Sequence, residues 1–195
     1  MKKWLLPLFG TLALAACSNA LILTLTSSMD IRTEYRTAGG EYVGCDNVEP
    51  LNSNTPSITT TLVALRFNTN ADLDSAELGL YSTTLGKVDP GFKTSVPANQ
   101  LNSNATSYSF VFKADTSNNN PLPAQVGKQG IVVVPKGEDK IKIVSVGNQQ
   151  PLGAFKGWVQ ATADGTRATF VSTNSFKVYN RCSIEQITTE DIAFN

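Results

Sequence analysis

Few side chains in this chain could carry chemistry: three cysteines, sixteen carboxylates and no histidine. Without imidazole, neither a Ser-His-Asp nor a Cys-His catalytic set can form, and a metal site loses its commonest nitrogen ligand. The motifs G-x-S-x-G, S-x-x-K, Walker A and G-x-G-x-x-G do not occur in the sequence either. What remains is the chemistry of thiols and of carboxylates.

Cys17 ends an N-terminal segment that has the parts of a targeting signal. A pair of lysines opens the segment, residues 4–14 supply an apolar run, and Ala15 and Ala16 precede the cysteine. The apolar run is too short to span a bilayer. Residues 1–16 are therefore predicted to be a signal peptide that is removed.

The four residues Leu14-Ala15-Ala16-Cys17 resemble the lipobox of bacterial lipoproteins. The resemblance implies that the Cys17 thiol receives a diacylglycerol and that the new N-terminus is acylated. At about 0.8 kcal/mol per buried methylene, these chains hold a soluble domain on a membrane. Ser18 stands where an aspartate retains Gram-negative lipoproteins in the inner membrane, so we expect the outer membrane if the cell has one. Ordinary secretion with cleavage after Ala20 is the alternative.

Cys45 and Cys182 are the two cysteines that remain once Cys17 is lipidated. The lipobox implies an oxidising compartment, where these two thiols are expected to form a disulfide. The chain-entropy model gives a bond across so long a loop roughly 5 kcal/mol. Such a bond joins the beginning of the domain to its end and predicts one domain over residues 17–195. Two free buried thiols are the alternative, and zinc is disfavoured because it would lack ligands.

The densest group of side-chain oxygens lies in the segment 70–77. Its members are Asn70, Asp72, Asp74 and Glu77. Alternating oxygen donors could wrap a hard cation such as Ca²⁺. The segment departs from an EF-hand loop, because Ser75 replaces the glycine and Tyr81 replaces the bidentate glutamate. A solvated loop with a capping aspartate is the other interpretation, and we expect no bound metal or cofactor.

Two converging carboxylates could act as acid and base in a glycoside hydrolase. The candidates are Glu34, Asp164, Glu185, Glu190 and Asp191. The sequence does not indicate which of them converge, and Asp164 is better explained as a turn residue. We therefore expect no enzymatic activity, and a histidine-free glycoside hydrolase is the least favoured alternative.

Trp158, the one tryptophan after the signal peptide, could stack on a sugar ring if it were exposed. Aromatic residues that alternate along a strand are more often core residues, as we expect for Tyr108, Phe110 and Phe112. Only if Trp158 departs from this tendency and is exposed would it be the ligand-binding residue of a carbohydrate- or peptidoglycan-binding module.

The charge of the mature chain is nearly balanced. Without the two lysines of the signal peptide, 14 basic residues face 16 acidic ones, a net charge of −2. A chain with this balance has no field that would attract nucleic acid or anionic lipid.

Period-two alternation, without helical periodicity, runs through the mature region. Strands are predicted over residues 20–26, 31–37, 58–67, 76–85, 106–114, 130–134, 140–146, 154–163, 166–172 and 174–180. Two apolar faces place 58–67 at the centre of a sheet, and Asp164-Gly165 predicts a tight hairpin. A capping box at 74–77 allows a short helix there instead, and the tail 184–194 could be an edge strand or a short helix.

The strand spacing predicts an all-β protein, a single antiparallel β-sandwich of nine to eleven strands with jelly-roll or immunoglobulin-like connections. The segments Leu65-Arg66-Phe67 and Ser75–Tyr81 resemble a pattern of some carbohydrate-binding-type jelly rolls. That resemblance supports the fold and does not by itself imply sugar binding.

Signal, disulfide and strand pattern together predict a lipid-anchored, non-catalytic protein of the cell envelope that serves as a structural, accessory or binding subunit. Its expected partners are the membrane, through the N-terminal lipid, and another envelope protein or a cell-wall glycan, but not nucleic acid. A carbohydrate- or peptidoglycan-binding module is the alternative.

Overall fold

The computed structural model describes residues 22–53, 55–58, 61–88, 94–97, 102–104, 106–114 and 140–194. These residues form thirteen strands and no helix. Two of the strands contain only two residues each, so eleven longer strands remain, at the upper limit of the predicted number. Within the described ranges, no helix is long and apolar enough to cross a membrane.

The strands form two sheets that pack together as a sandwich, which confirms the predicted fold class. They are β1 (Asp30–Thr33), β2 (Tyr35–Thr37), β3 (Tyr42–Glu49), β4 (Ser57–Ile58), β5 (Thr61–Asn68), β6 (Ser75–Ser82), β7 (Lys87–Val88), β8 (Thr94–Pro97), β9 (Asn102–Asn104), β10 (Ser107–Ala114), β11 (Lys140–Ser145), β12 (Gly153–Ala163) and β13 (Thr166–Asp191). The first sheet has the order β1-β5-β10-β9, and the second contains the other nine strands.

The centre of the first sheet is β5, which pairs with β1 on one side and β10 on the other. Its residues are apolar on both faces, as predicted. Leu65 and Phe67 lie in the core between the sheets, while Leu62 and Ala64 belong to a separate cluster on the outer face. A strand with two apolar faces is stable only when both are covered, so something must also close the outer face.

The second sheet is built around β12, which pairs with β6 and with the first part of β13. Asp164 and Gly165 form the turn between β12 and β13, with φ of 47° and 74°. Two successive left-handed residues match the twist of the flanking strands, which is why Asp-Gly is favoured there. This hairpin and the strand, rather than helix, at β6 confirm the sequence predictions.

A bulge in β13 brings the two sheets together near the middle of the sandwich. Opposite Gly157 the register shifts, because Lys156 pairs with Ser175 and Trp158 with Val171. Gly157 is required here: a Cβ at this position would lie 2.3 Å from Cδ2 of Leu65 in the other sheet.

The same bulge carries Asn174 to the edge of the first sheet. Its side-chain oxygen accepts a hydrogen bond from the Ile31 backbone N–H at 3.1 Å, and its side-chain nitrogen donates to the Ile31 carbonyl at 2.8 Å. One amide side chain thereby takes the place of a neighbouring strand residue beside β1.

Beyond the sandwich, β2, β3, β13 and β11 pair in a closed circuit, which we call the ring. β2 pairs with β3 and with β11, and β13 pairs with both β11 and β3. Two of these pairings, β2–β11 and β3–β13, are parallel, whereas the other ten strand pairings of the described residues are antiparallel. The sequence did not predict the parallel pairs. The ring encloses its own core: Tyr35, Val43, Cys45, Val48, Val144, Tyr179 and Cys182.

Three strand predictions need correction. Residues 31–37 are not one strand, because the chain leaves the first sheet after Thr33 and joins the ring at Tyr35. The described part of the predicted strand 20–26 makes only an isolated bridge, Leu25 to Thr69. Residues 166–172 and 174–180 are not two strands but parts of β13, which continues to Asp191, so that the strand alternative describes 184–191. The predicted strand 130–134 lies outside the described residues.

Candidate functional site

The predicted disulfide is present in the interior of the ring. Cys45 and Cys182 are bonded, with their Cα atoms 5.8 Å apart, and both are 0% exposed. Their strands, β3 and β13, run side by side in parallel, with Cys45 opposite Tyr179. The sequence separation of 137 residues means that the bond joins the first part of the domain to the last. It is compatible with an oxidising compartment.

Cys17 lies outside the described residues, and the first described residues, from Ile22 on, are attached to the domain. Leu23 is buried in the sandwich core, and Ile22 is 74% exposed. The Asn70 side chain accepts a hydrogen bond from the Thr24 N–H at 2.9 Å and donates one to the Ile22 carbonyl at 2.7 Å. The first described residues are therefore attached to the loop between β5 and β6.

Two of the four candidate calcium ligands are engaged in hydrogen bonds within the protein. The Asn70 side chain is engaged with Ile22 and Thr24, and Asp74 accepts a hydrogen bond from the Asp164 N–H at 2.8 Å. Among the residues that the structure describes, no three carboxylate or thiol side chains are grouped so that they could hold a metal ion. The alternative interpretation, an aspartate that caps a turn, describes Asp74.

Trp158, the candidate for stacking on a sugar ring, is buried, as the alternative interpretation of a core residue has it. It is only 8% exposed, opposite Gly79 on one neighbouring strand and Val171 on the other. Tyr108 and Phe110 are core residues, as expected. The side chain of Phe112 lies outside the described part of the structure.

Glu34, one of the candidate acids, is a buried bridge between the sheet and the ring. It is 4% exposed; one carboxylate oxygen accepts a hydrogen bond from the Leu62 N–H at 2.9 Å, and the other pairs with the Lys142 ammonium. Its backbone also bonds to Leu62 and Lys142. These four contacts hold the chain where it passes from β1 to β2, so the carboxylate has a structural task.

Three of the other candidate carboxylates bind neighbouring side chains, and the fourth lies at a turn. Glu190 pairs with Arg32 at 3.5 Å and Arg36 at 2.8 Å, and Asp191 pairs with Lys140. Glu185 accepts a hydrogen bond from Ser145 at 2.7 Å, and Asp164 is at the exposed turn of the β12–β13 hairpin.

The residue that the sequence analysis missed is Arg32, which fastens the end of the chain. Its guanidinium donates hydrogen bonds to the carbonyls of Asp191, Ile192 and Ala193. It also lies over the Phe194 ring, with its central carbon 4.2 Å from the ring centroid. The sequence places Arg32 on the charged face of the alternating segment 31–37. Neighbouring residues do not indicate which carbonyls it binds.

Residues 192–194, which we call the tail, cover the outer face of the first sheet. Ile192 is 2% exposed and packs with Leu62, Ala64 and Val111. The Phe194 ring contacts the guanidiniums of both Arg32 and Arg66, and the central carbon of the second is 4.8 Å from the ring centroid. The tail is thus the layer that allows β5 to be apolar on both faces.

The jelly-roll-like segments are explained by packing. Leu65 and Phe67 of the first segment and Leu78 and Leu80 of the second all lie in the core between the sheets.

No protein-family model matches the chain, and no curated protein or solved structure is significantly similar to it. Functional inference therefore rests on the residues themselves.

Proposed function

We propose that this protein is a lipid-anchored, non-catalytic component of the bacterial cell envelope that serves as an accessory or binding subunit. The observation that carries the proposal is the buried Cys45–Cys182 disulfide. Such a bond persists outside the reducing cytosol, and an extracytoplasmic location is what the lipobox before Cys17 implies. Two independent features, one in the signal and one in the domain, thus favour the same compartment.

The placement of the charged groups supports a non-catalytic role. A carboxylate that acts as acid or base needs access to substrate, and a pair of them must flank the bond that breaks. Glu34 is instead buried against Lys142, while Glu190 and Asp191 pair with cations on the ring and beside the tail.

A protein partner is favoured over a glycan. Sugar binding commonly uses an exposed aromatic face, and the candidate residue for it, Trp158, is buried. Protein surfaces are recognised through mixed polar and apolar patches, which require no such platform. We therefore place the protein in an assembly with another envelope protein.

The experiment that tests the anchor is fractionation of cells that express wild type, Cys17→Ala or Ser18→Ala. Wild type and Ser18→Ala should remain in the membrane pellet after an alkaline carbonate wash, because neither change removes the acylated thiol. Cys17→Ala should appear in the soluble fraction or as unprocessed precursor. Equal membrane retention of processed Cys17→Ala would overturn the anchor.

The experiment that tests the role is chemical crosslinking in native membranes, followed by purification and mass spectrometry. A stoichiometric envelope protein recovered with wild type, and absent from a mock purification, is the expected result. Recovery of cell-wall fragments alone would replace the subunit proposal by the glycan-binding one.

A further inference from the structure

The first described residues are tied to one particular end of the sandwich. That end, which we call the anchor end, consists of residues 22–27, 69–74 and 164–165. Asn70 holds Ile22 and Thr24, the Thr26 N–H donates to the Asn68 carbonyl at 3.0 Å, and Leu25 bridges to Thr69. Leu23, between them, is 5% exposed. The chain therefore enters the domain through a fixed segment.

The strand register places the ring at the opposite end. β5 ends and β6 begins at the anchor end, and the β12–β13 turn joins them there through the 2.8 Å hydrogen bond between Asp164 and Asp74. β12 begins at Gly153, eleven residues before Asp164 and beside Val178 of β13. At about 3.3 Å per residue, roughly 35 Å separate the two ends. The turn at Gly147 and Asn148, which precedes β12, lies at the ring end.

The chain between the lipidated residue and the fixed segment is short. Leu23 is the sixth residue after Cys17. Six residue steps span at most about 20 Å even when the chain is fully extended. A domain attached so closely cannot turn its far end towards the bilayer without breaking the contacts of Leu23 and Asn70.

We infer that the anchor end faces the lipid surface, that Asn70 and Leu23 fix this orientation, and that the ring projects away from the membrane. This inference rests on the proposed lipid anchor. It assigns the anchor end to a phospholipid headgroup surface and leaves the ring and the tail for a protein partner.

The charges of the anchor end indicate how the contact is made. Asp72, Asp74 and Asp164 are exposed there, with Arg167 the nearby exposed cation. Carboxylates are repelled by anionic headgroups over a Debye length of about 8–10 Å. The short tether and the exposed Ile22 side chain, rather than charge attraction, therefore keep this end at the membrane. The difference between the two ends should accordingly be present on neutral vesicles and should not require anionic lipid.

The test uses lipidated protein purified in detergent, in which the Cys17 thiol is blocked and Cys45 and Cys182 are bonded. Asp72→Cys and Asn148→Cys then each provide one labelling site for a fluorophore, at the anchor end and the ring end. Each labelled protein is reconstituted into phosphatidylcholine vesicles, with or without phosphatidylglycerol, that contain an energy acceptor on the headgroup. Strong loss of donor emission is expected for the label at residue 72 and little loss for the label at 148.

Two further variants separate orientation from folding. Insertion of ten Gly/Ser residues after Asn19 leaves the domain untouched but lengthens the tether by about 17 Å in root-mean-square terms. It should make the emission losses of the two labels similar. The double variant Leu23→Ser/Asn70→Ala should likewise make the two emission losses more similar. The control Asn47→Ala, which removes a 2.9 Å hydrogen bond to the Asn180 carbonyl on the ring, should leave them unequal.

Failure of this inference is distinct from failure of the anchor. An intact mass without lipid would overturn the proposed anchor and the orientation with it. A lipidated protein whose two labels lose emission equally on vesicles would overturn the orientation alone. An unequal loss that persists unchanged after the Gly/Ser insertion would overturn the claim that the short tether and its attachment through Leu23 and Asn70 fix the orientation.

Discussion

The sandwich and the ring are stabilised by different means, although the long strand β13 runs through both. Among the described residues, nineteen buried apolar side chains lie between the sheets, with Phe67, Phe155 and Phe176 among the largest. The ring core contains seven, of which two are the bonded cysteines. A core so small buries too little apolar surface to hold four strands together by itself. The ring therefore depends on a covalent bond and on ion pairs at its border, such as Glu34 with Lys142.

The largest loss of stability should come from the sandwich core. Phe67 is 0% exposed and stacks on Tyr108 with ring centroids 5.4 Å apart. Phe67→Ala should lower the free energy of unfolding by about 3–5 kcal/mol, measured by urea denaturation. Leu51→Ala, at an exposed site, is the control and should change little. A loss below about 1 kcal/mol for Phe67→Ala would mean that the core between the sheets does not dominate stability.

The next largest effect should be confined to the ring. The double variant Cys45→Ala/Cys182→Ala should lower the free energy of unfolding by about 2–5 kcal/mol. Because the ring has little apolar core, hydrogen exchange should accelerate in β3, β11 and the second half of β13 before it does so in β5 and β12. Uniform acceleration in both regions would show that ring and sandwich unfold as one unit, contrary to the comparison.

A smaller effect is expected inside the sandwich, where β12 passes close to β5 opposite the bulge of β13. Gly157→Ala places a methyl group against Leu65, and overpacking of this kind costs about 1–3 kcal/mol. The change should appear as a lower midpoint of thermal unfolding. Gly39→Ala is the matched control, since the atom nearest to its Cβ is 3.7 Å away. Equal midpoints for the two variants would show that β12 does not approach Leu65 closely at Gly157.

The smallest effect should come from releasing the tail. Arg32→Met keeps the apolar stem but removes the donors to three carbonyls, and we expect a loss of about 1–2 kcal/mol. Carboxypeptidase should then remove the last residues faster than it does from wild type. Arg36→Met, which loses its pair with Glu190 but leaves the tail bonds intact, should be digested like wild type. Identical digestion of both variants would contradict the role of Arg32.

Much of the sandwich could be predicted because its strands carry their own signal. β5, β6, β10 and β12 alternate or are apolar on both faces, and the Asp164-Gly165 turn is local. The disulfide could be predicted because two cysteines remain after Cys17 and because the lipobox implies an oxidising compartment. In each case, the information lies within a few residues or in the composition.

The ring and the site residues could not be predicted because their causes are distant in sequence. The chain breaks at Glu34 because its carboxylate binds the Leu62 N–H, 28 residues away. The Arg32 guanidinium donates hydrogen bonds to backbone carbonyls about 160 residues away. Trp158 alternates as an outward-facing residue would, yet it is buried, and a single strand pattern does not indicate what covers a face. Residues 22–26 have the apolar pattern of a strand but only one bridge.

Asn174 has a consequence for the membrane-bound form proposed above. The proposed lipid anchor would confine copies to two dimensions, where they would meet side by side at high local concentration. An open sheet edge under these conditions is a template on which another copy can add a strand, and repetition of that step gives aggregates. By occupying the N–H and the carbonyl of Ile31 with a side chain, the protein closes the edge at β1 without adding a strand, and neighbouring copies can pack densely while remaining separate molecules.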